Sequence, residues 1–211
     1  MLYQLPQPTG LDFYIEALNK YWFNARAQRL WGVNGGTYNA FGRAYRNKAA
    51  DGYIPEYYYY GDPTANPVIP PGYVGSSGNS NSGGLFFQDG LAAMSFFGVV
   101  DPMKKADNRD DVSKVDWIFF VDLSKITPAG ITNANGQRLD EAAMNDVRNF
   151  LQSNGCGFTI TNTTKDVDKV LENYSGMKKK DSLNRDMQPR FCFKITLELR
   201  FNEQLNQQPN F

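Results

Sequence analysis

Adjacent carboxylates at Asp140 and Glu141 are the residues in this sequence that most readily suggest acid–base chemistry. Two acids can exchange protons with one substrate when both face it. Neighbours in sequence point in different directions on a helix, however, and acids near a helix start are favoured by the unpaired N–H groups there. We therefore interpret Asp140 as a helix cap and Glu141 as a first-turn acid. A carboxylate-based hydrolase is the weaker alternative.

Three aspartates, Asp107, Asp110 and Asp111, form a second acidic group, which invites comparison with a calcium loop. That loop needs oxygen ligands at alternate positions and a glycine, and this pattern is absent. We expect residues 101–114 to form a solvated charged loop.

Lys178, Lys179 and Lys180 form a short basic run that could contact phosphates. The whole chain has 22 basic and 22 acidic residues, so its formal net charge is +0. This balance argues against a general attraction to nucleic acid or to an anionic membrane. We expect the lysines to face solvent or a DNA channel. In a channel they would make a non-specific contact with DNA.

The sequence has no histidine, and this absence lowers the prospect of catalysis. Histidine is the commonest general base and a common metal ligand. No glycine-rich phosphate-binding motif is present. The two cysteines, Cys156 and Cys192, are interpreted as free and reduced. We expect no catalytic residue, no cofactor, no metal and no small-molecule substrate.

The tyrosine run Tyr57, Tyr58, Tyr59 and Tyr60 is the strongest functional candidate, together with Tyr73. Tyrosine gives a large amphipathic contact area and is enriched in protein interfaces. Aromatic residues also favour strands, so a half-buried strand is an equally plain interpretation. Stacking on sugars is a further one, and it would make the protein a carbohydrate- or surface-binding module.

The N-terminal part predicts a helix over residues 9–31, with Thr9 as its cap and apolar residues at three- and four-residue spacing. Residues 61–84 are rich in Gly, Pro, Ser and Asn, and predict a long loop or arm. Residues 85–100 predict two buried apolar segments around a turn at Asp89-Gly90.

The C-terminal part predicts alternating strands and helices. The apolar run 115–123 indicates a central strand buried on both faces. Strict alternation over 191–201 indicates a strand with one face in the core and one face exposed to solvent. The remaining predicted elements are a helix from Asp140 to about Leu151, a short strand over 158–161 and a helix opened by Thr163 and Asp166.

These elements predict an α+β fold, with a small mixed or antiparallel sheet packed by two or three helices and a long irregular insertion. We expect one domain over residues 1–211 and a flexible tail over 202–211. The N-terminus lacks the features of a secretory signal, and no apolar run approaches the ~20 residues that span a bilayer.

Several of these segments resemble tail-completion and neck proteins of tailed bacteriophages. They are the strand VDWIFFVDL at 115–123, the helix opened by Leu139-Asp140-Glu141, the short strand and helix to Tyr174, and the lead-in DMQP at 186–189 to the strand 191–201. The fragments GRAY at 42–45 and IPEYYYYG at 54–61 are similar to those of related phage and prophage proteins, including crAss-like phages.

The resemblance implies a subunit of a closed ring in the neck, between portal and tail. Such a subunit carries no catalytic residues and contacts copies of itself, neighbouring portal, neck or tail proteins, and the DNA channel. It is a virion component assembled in the host cytoplasm. The tyrosine run and the 61–84 arm are the two candidate surfaces of a head-to-tail contact between subunits. A closed ring repeats this contact between each copy and the next.

Overall fold

The computed structural model of the chain describes residues 8–27, 31, 37–49, 52–57, 91–100, 104–105, 111–126, 138–153, 157–170, 172 and 189–201. The predicted arm 61–84, the turn at Asp89-Gly90 and the tail 202–211 lie outside these residues.

The first helix, α1, spans Leu11–Trp22 and continues as a π-helix over Phe23–Ala27. The described helical residues thus cover 11–27 of the predicted range 9–31, and residues 28–30 lie outside the described residues. The cap of α1 differs from the prediction, because the residue before the helix is Gly10 and no side chain caps the first turn. Gly10 has φ 53° and ψ −131°, a conformation that glycine adopts more easily than other residues. This backbone turn replaces the hydroxyl cap expected from Thr9.

Two further helices follow in the C-terminal part, α2 over Leu139–Ser153 and α3 over Val167–Val170. Helix α2 starts one residue before Asp140, so Asp140 lies in its first turn and is not its cap. Helix α3 is a single turn, and Asp166 caps it as predicted by accepting the Asp168 N–H at 3.1 Å. Thr163, the other predicted start, belongs to a strand.

Among the described residues, seven strands make one mixed sheet: β1 Thr37–Ala49, β2 Gly52–Tyr57, β3 Leu91–Val99, β4 Lys104–Lys105, β5 Asp111–Asp122, β6 Phe158–Thr164 and β7 Arg190–Phe201. Their order is β2-β1-β3-β5-β7-β6, with β4 paired to β5. The pair β1/β3 is parallel and the others are antiparallel. The predicted α+β class with a mixed sheet is confirmed. The predicted loop 101–114 is partly wrong, because β4 and the start of β5 lie within it.

One face of the sheet carries α1 and α2. Because side chains alternate along a strand, Val115, Trp117, Phe119 and Val121 of β5 share this face. Their cross-strand neighbours in β3 and β7 share it too, since residues directly opposite one another point to the same side. The buried stripe of α1 (Leu11, Ile15, Leu18 and Trp22) and that of α2 (Ala143, Val147, Phe150 and Leu151) pack onto it in one apolar core.

Trp22 is the centre of this core. Its ring makes edge contacts with Trp31, Trp117 and Phe150 at centroid distances of 5.3, 5.9 and 5.1 Å. Full burial of one large apolar side chain contributes about 1.5–3 kcal/mol, so this aromatic cluster holds α1, the sheet and α2 together.

The opposite face of the sheet is buried as well, around Phe96, Ile118, Phe120 and Cys192. The prediction that β5 is buried on both faces is confirmed. The prediction that one face of β7 is exposed to solvent is wrong at Cys192 and Lys194, which are 1% and 3% exposed. Alternation shows that the two faces of a strand differ, but it does not show whether the second face is covered.

Candidate functional site

The tyrosines predicted as an interface begin at an edge of the sheet. Tyr57 is the last residue of β2, which pairs with β1 alone among the described strands. Tyr58, Tyr59, Tyr60 and Tyr73 lie outside the described residues, as do Lys178, Lys179 and Lys180. The proposed roles of these residues therefore stay predictions.

The opposite edge of the sheet is β6, which pairs with β7 alone among the described strands. Thr159, Thr161 and Asn162 are exposed along it. The pairing steps from Ile160 to Asn162 against consecutive residues of β7, so Thr161 is an extra residue in a bulge. A bulge restricts the registers that an added strand can adopt, and natural sheets use bulges to prevent indiscriminate edge pairing.

The carboxylates Asp140 and Glu141 form a closed set of ion pairs with two cations. Arg138 reaches Asp140 at 2.8 Å and Glu141 at 3.3 Å, and Lys165 reaches the same two acids at 3.4 and 3.5 Å. Burial acts to raise the pKa of Asp140, but hydrogen bonds from Arg138, the Glu141 backbone and Lys165, with the charge of Lys165, outweigh it and lower that pKa. This set joins the start of α2 to the residue that follows β6, and it fits a structural role.

A buried hydrogen-bonded chain lies within the core between the helices and the sheet. The Trp22 indole N–H donates to the Tyr38 hydroxyl at 2.9 Å, and the Tyr38 and Ser95 hydroxyls are 2.6 Å apart. Burial raises the pKa of Tyr38 far above its usual value, and the hydrogen bonds to Ser95 and Trp22 offset only part of that effect. The chain links α1, β1 and β3 and leaves Tyr38 uncharged at any physiological pH.

A second buried polar contact joins α2 to the segment after the π-helix. The Trp31 indole N–H donates to Asp146 Oδ2 at 3.0 Å, and Arg26 Nε lies 3.8 Å from Asp146 Oδ1. The Trp31 backbone N–H bonds to the Ala27 carbonyl at 3.1 Å, which places the ring over the core. Asp146 therefore satisfies an indole N–H that burial removes from water.

The most unusual polar group lies on the opposite face of the sheet, between β5 and β7. Lys194 Nζ is 3.2 Å from Asp116 Oδ2 and 3.0 Å from Glu172 Oε1. The Thr196 hydroxyl donates to Asp116 Oδ1 at 2.7 Å. Asp116 lies directly opposite Thr196, and Lys194 lies opposite Ile118, so the lysine reaches the acid diagonally across the strand pair.

The sequence reasoning missed this group, although one signal was available. Asp116 lies within the apolar run 115–123, and a buried acid requires a partner. The basic residues of the alternating strand 191–201 were candidates for that partner. The prediction that the second face of this strand is exposed to solvent excludes Lys194 as that partner.

Among the described residues, no group of three or more His, Cys, Asp or Glu side chains is placed to hold a metal ion. In the same part of the chain, no helix has the length and apolar character needed to cross a bilayer. Cys192 is buried, whereas Cys156 is not among the described residues. No protein-family model, no curated protein and no solved structure matches this chain.

Proposed function

We propose that this protein is a structural subunit of a neck or tail-completion ring of a tailed bacteriophage. It joins portal or head to tail through self-association and contacts with neighbouring rings. The observation that carries the proposal is the open sheet with two different edges, β2 and β6, each of which has a described strand neighbour on one side only. Such edges present unpaired backbone N–H and C=O groups to another chain.

A contact between two different edges has a direct geometric consequence. If β6 of one copy meets β2 of the next, the interface uses two unlike surfaces and repeats from copy to copy. Such head-to-tail contacts make a closed ring when the rotation between copies closes, and a filament when it does not. A net charge of +0 weakens long-range repulsion between copies and favours this association.

The resemblance to phage neck proteins supports the same proposal. The segments that carry it occur in the order β5, α2, β6, α3 and β7. The tyrosine run begins at Tyr57, the last residue of the edge strand β2, where contact with a neighbouring copy is proposed. Neighbouring portal, neck or tail proteins remain the proposed partners of the assembled ring, in the virion.

The oligomeric state of the purified protein tests the proposal. We expect sedimentation analysis and electron microscopy to find a closed ring for the unmodified chain. The double substitution Thr159→Lys with Asn162→Lys places two charges on the β6 edge, where lysine opposes strand addition. We expect this variant to shift toward the monomer.

A matched control adds the same charge elsewhere. Asn145 and Asn149 are exposed residues of α2, and Asn145→Lys with Asn149→Lys should leave the ring intact. A strictly monomeric unmodified chain that never associates with virions would contradict the proposed function. A ring that survives the β6 substitutions would show that assembly uses a surface other than this edge.

A further inference from the structure

The buried group between β5 and β7 has the three components of a self-crosslinking site: an amine, a carboxyl group and a second acid. The side chains of Lys194 and Asp116 are 3% and 1% exposed, whereas that of Glu172 is 50% exposed. We propose that Lys194 and Asp116 condense to an intramolecular isopeptide bond that joins β7 to β5, with Glu172 as the proton-transfer residue. This inference does not depend on ring assembly.

Burial is the first argument for this reaction. An ion pair removed from water gains little net stability, because the desolvation of both charges offsets their attraction. Transfer of one proton from the ammonium to the carboxylate gives a neutral amine and a neutral acid, which are less costly to bury. A neutral amine has the free electron pair that a nucleophile requires. The carbon of a neutral carboxylic acid is a better electrophile than that of a carboxylate.

The positions of the atoms are the second argument. Lys194 Nζ lies 3.2 Å from Oδ2, which is bonded to the carboxyl carbon that the amine would attack. Because the fold holds the amine close to the carboxyl group, much of the entropic barrier of a bimolecular reaction is removed. The Thr196 hydroxyl donates to the other oxygen, Oδ1, at 2.7 Å. It is therefore placed to stabilise the negative charge that develops on Oδ1 during attack.

Glu172 supplies the third requirement, a group that moves protons. Its Oε1 lies 3.0 Å from Lys194 Nζ, within reach of the proton that the attacking amine must lose. The C–N bond forms, Glu172 takes a proton from nitrogen and returns it to Oδ2, and the C–Oδ2 bond breaks. The products are one amide and one water molecule. No atom is oxidised or reduced, and no co-reactant is required.

The neighbouring side chains keep solvent from Lys194 and Asp116, the two residues that would form the bond. Lys194 lies opposite Ile118 and Asp116 lies opposite Gly98, while Phe96 lies opposite Ile118 in the next strand. Phe96 and Ile118 are fully buried. Amide formation releases water, so a site that holds little bulk water favours the product.

The chain contains a matched group that lacks this environment. Lys165 also lies near an aspartate and a glutamate, at 3.4 Å from Asp140 and 3.5 Å from Glu141, but its side chain is 41% exposed. Water has access to this amine. We expect no bond at Lys165, which makes it the internal control for burial.

Intact-mass measurement of the purified, denatured full chain tests the proposal. We expect the mass to be lower than that of the sequence by one water molecule. After proteolysis, we expect one branched peptide that joins Lys194 to Asp116. The Lys194→Arg and Glu172→Gln variants should have the full mass of their sequences, whereas Lys165→Arg should still lack one water.

Three outcomes would overturn the proposal. The first is that the protein without substitutions has the full mass of its sequence. This result does not depend on whether any variant folds. The second is persistence of the water loss in Lys194→Arg. The third is a water loss located at Asp51-Gly52 or Asp89-Gly90, where cyclisation of the aspartate onto the following amide also releases water.

Discussion

Asp146 and Trp31 are 115 positions apart in the chain, yet the indole N–H of Trp31 donates to the Asp146 carboxylate at 3.0 Å inside the core. The contact ties α2 to the segment that follows the π-helix. It also explains why an acid is buried on the inner face of α2, between the apolar positions Ala143 and Val147.

Removal of this acceptor should destabilise the protein. In Asp146→Ala the buried indole N–H of Trp31 loses its partner, and we expect a loss of about 1–3 kcal/mol in the free energy of unfolding. Asp146→Asn keeps a carbonyl acceptor and should lose less. Urea-induced unfolding measures both changes. The control is Asn145→Ala at an exposed neighbour, expected within about 0.5 kcal/mol of the unmodified protein. Equal stabilities for Asp146→Ala and this control would contradict the prediction.

The Tyr38 hydroxyl should act together with Ser95. Tyr38→Phe leaves the Trp22 indole N–H without its acceptor and Ser95 without its partner, so we expect a loss of about 1–3 kcal/mol. Because both residues belong to one hydrogen-bonded chain, Ser95→Ala should cost less in the Tyr38→Phe background than in the unmodified protein. Denaturant unfolding of the two single variants and the double variant measures the coupling. Additive changes would mean that the two hydroxyls act independently.

The raised pKa of Tyr38 predicts a loss of stability in alkali. The folded protein holds this phenol neutral, whereas the unfolded chain releases the proton near the usual tyrosine pKa of about 10. The contribution of the neutral phenol is fully present below that pH and is lost as the pH rises toward the folded pKa. The free energy of unfolding should therefore fall less steeply above about pH 10 in Tyr38→Phe. Parallel curves for the two proteins would exclude this assignment.

The lowered pKa of Asp140 predicts the opposite dependence, in acid. Its stabilising contribution is present above the pKa of the unfolded chain, about 3.9, and is lost as the pH falls through the folded value. We expect Asp140→Asn to lower the free energy of unfolding at neutral pH by up to about 1 kcal/mol, as for a partly exposed ion pair. The two unfolding curves should converge in strong acid. A constant difference at every pH would show that loss of charge is not the cause.

The start of α1 provides a test of backbone conformation. Gly10→Ala forces a side chain into a positive φ of 53°, and we expect a loss of about 1–2 kcal/mol. Thr9→Ala is the control, because no side chain caps the first turn and the exposed Thr9 hydroxyl has no role there. Thermal unfolding compares the two variants. A larger loss in Thr9→Ala would restore the threonine cap predicted from the sequence.

Strands β5 and β7 could be predicted because their signals are local. The alternation from Phe191 to Phe201 is visible within eleven residues, and the apolar run from Val115 to Leu123 within nine. The structure extends the first by one residue, to Arg190, and starts the second earlier, at Asp111. The charged residues at the start of β5 concealed this part of the strand.

The parallel pairing of β1 with β3 could not be predicted in this way. It joins segments on the two sides of a stretch of more than thirty residues, and no pattern within either strand selects a partner. The first helix shows a related limit. Its apolar spacing predicts one regular helix to Arg29, but the structure has a π-helix over Phe23–Ala27. The contact of Trp31 with Asp146 is a tertiary interaction that the spacing of apolar residues does not predict.

The group of Lys194, Asp116 and Glu172 could be predicted only in part. An acid in the apolar run 115–123 indicates that a partner exists, but the partner is set by the diagonal register of two strands nearly eighty positions apart. Glu172 is brought to the site by the turn after α3, which covers this face beside β7. Neither relationship has a signature in a short window of sequence.

The position of β7 between β5 and β6 also constrains how the chain can fold during synthesis. Both neighbours leave the ribosome before Arg190–Phe201. Among the described strands, β6 pairs with that strand alone, and β5 pairs with it on one side and with β3 on the other. Until it emerges, Trp117 and Phe119 lack their cross-strand neighbours Ile195 and Phe193. The described sheet is therefore completed only after Arg190–Phe201 has been synthesised, so β5 and β6 stay separate in the nascent chain until then.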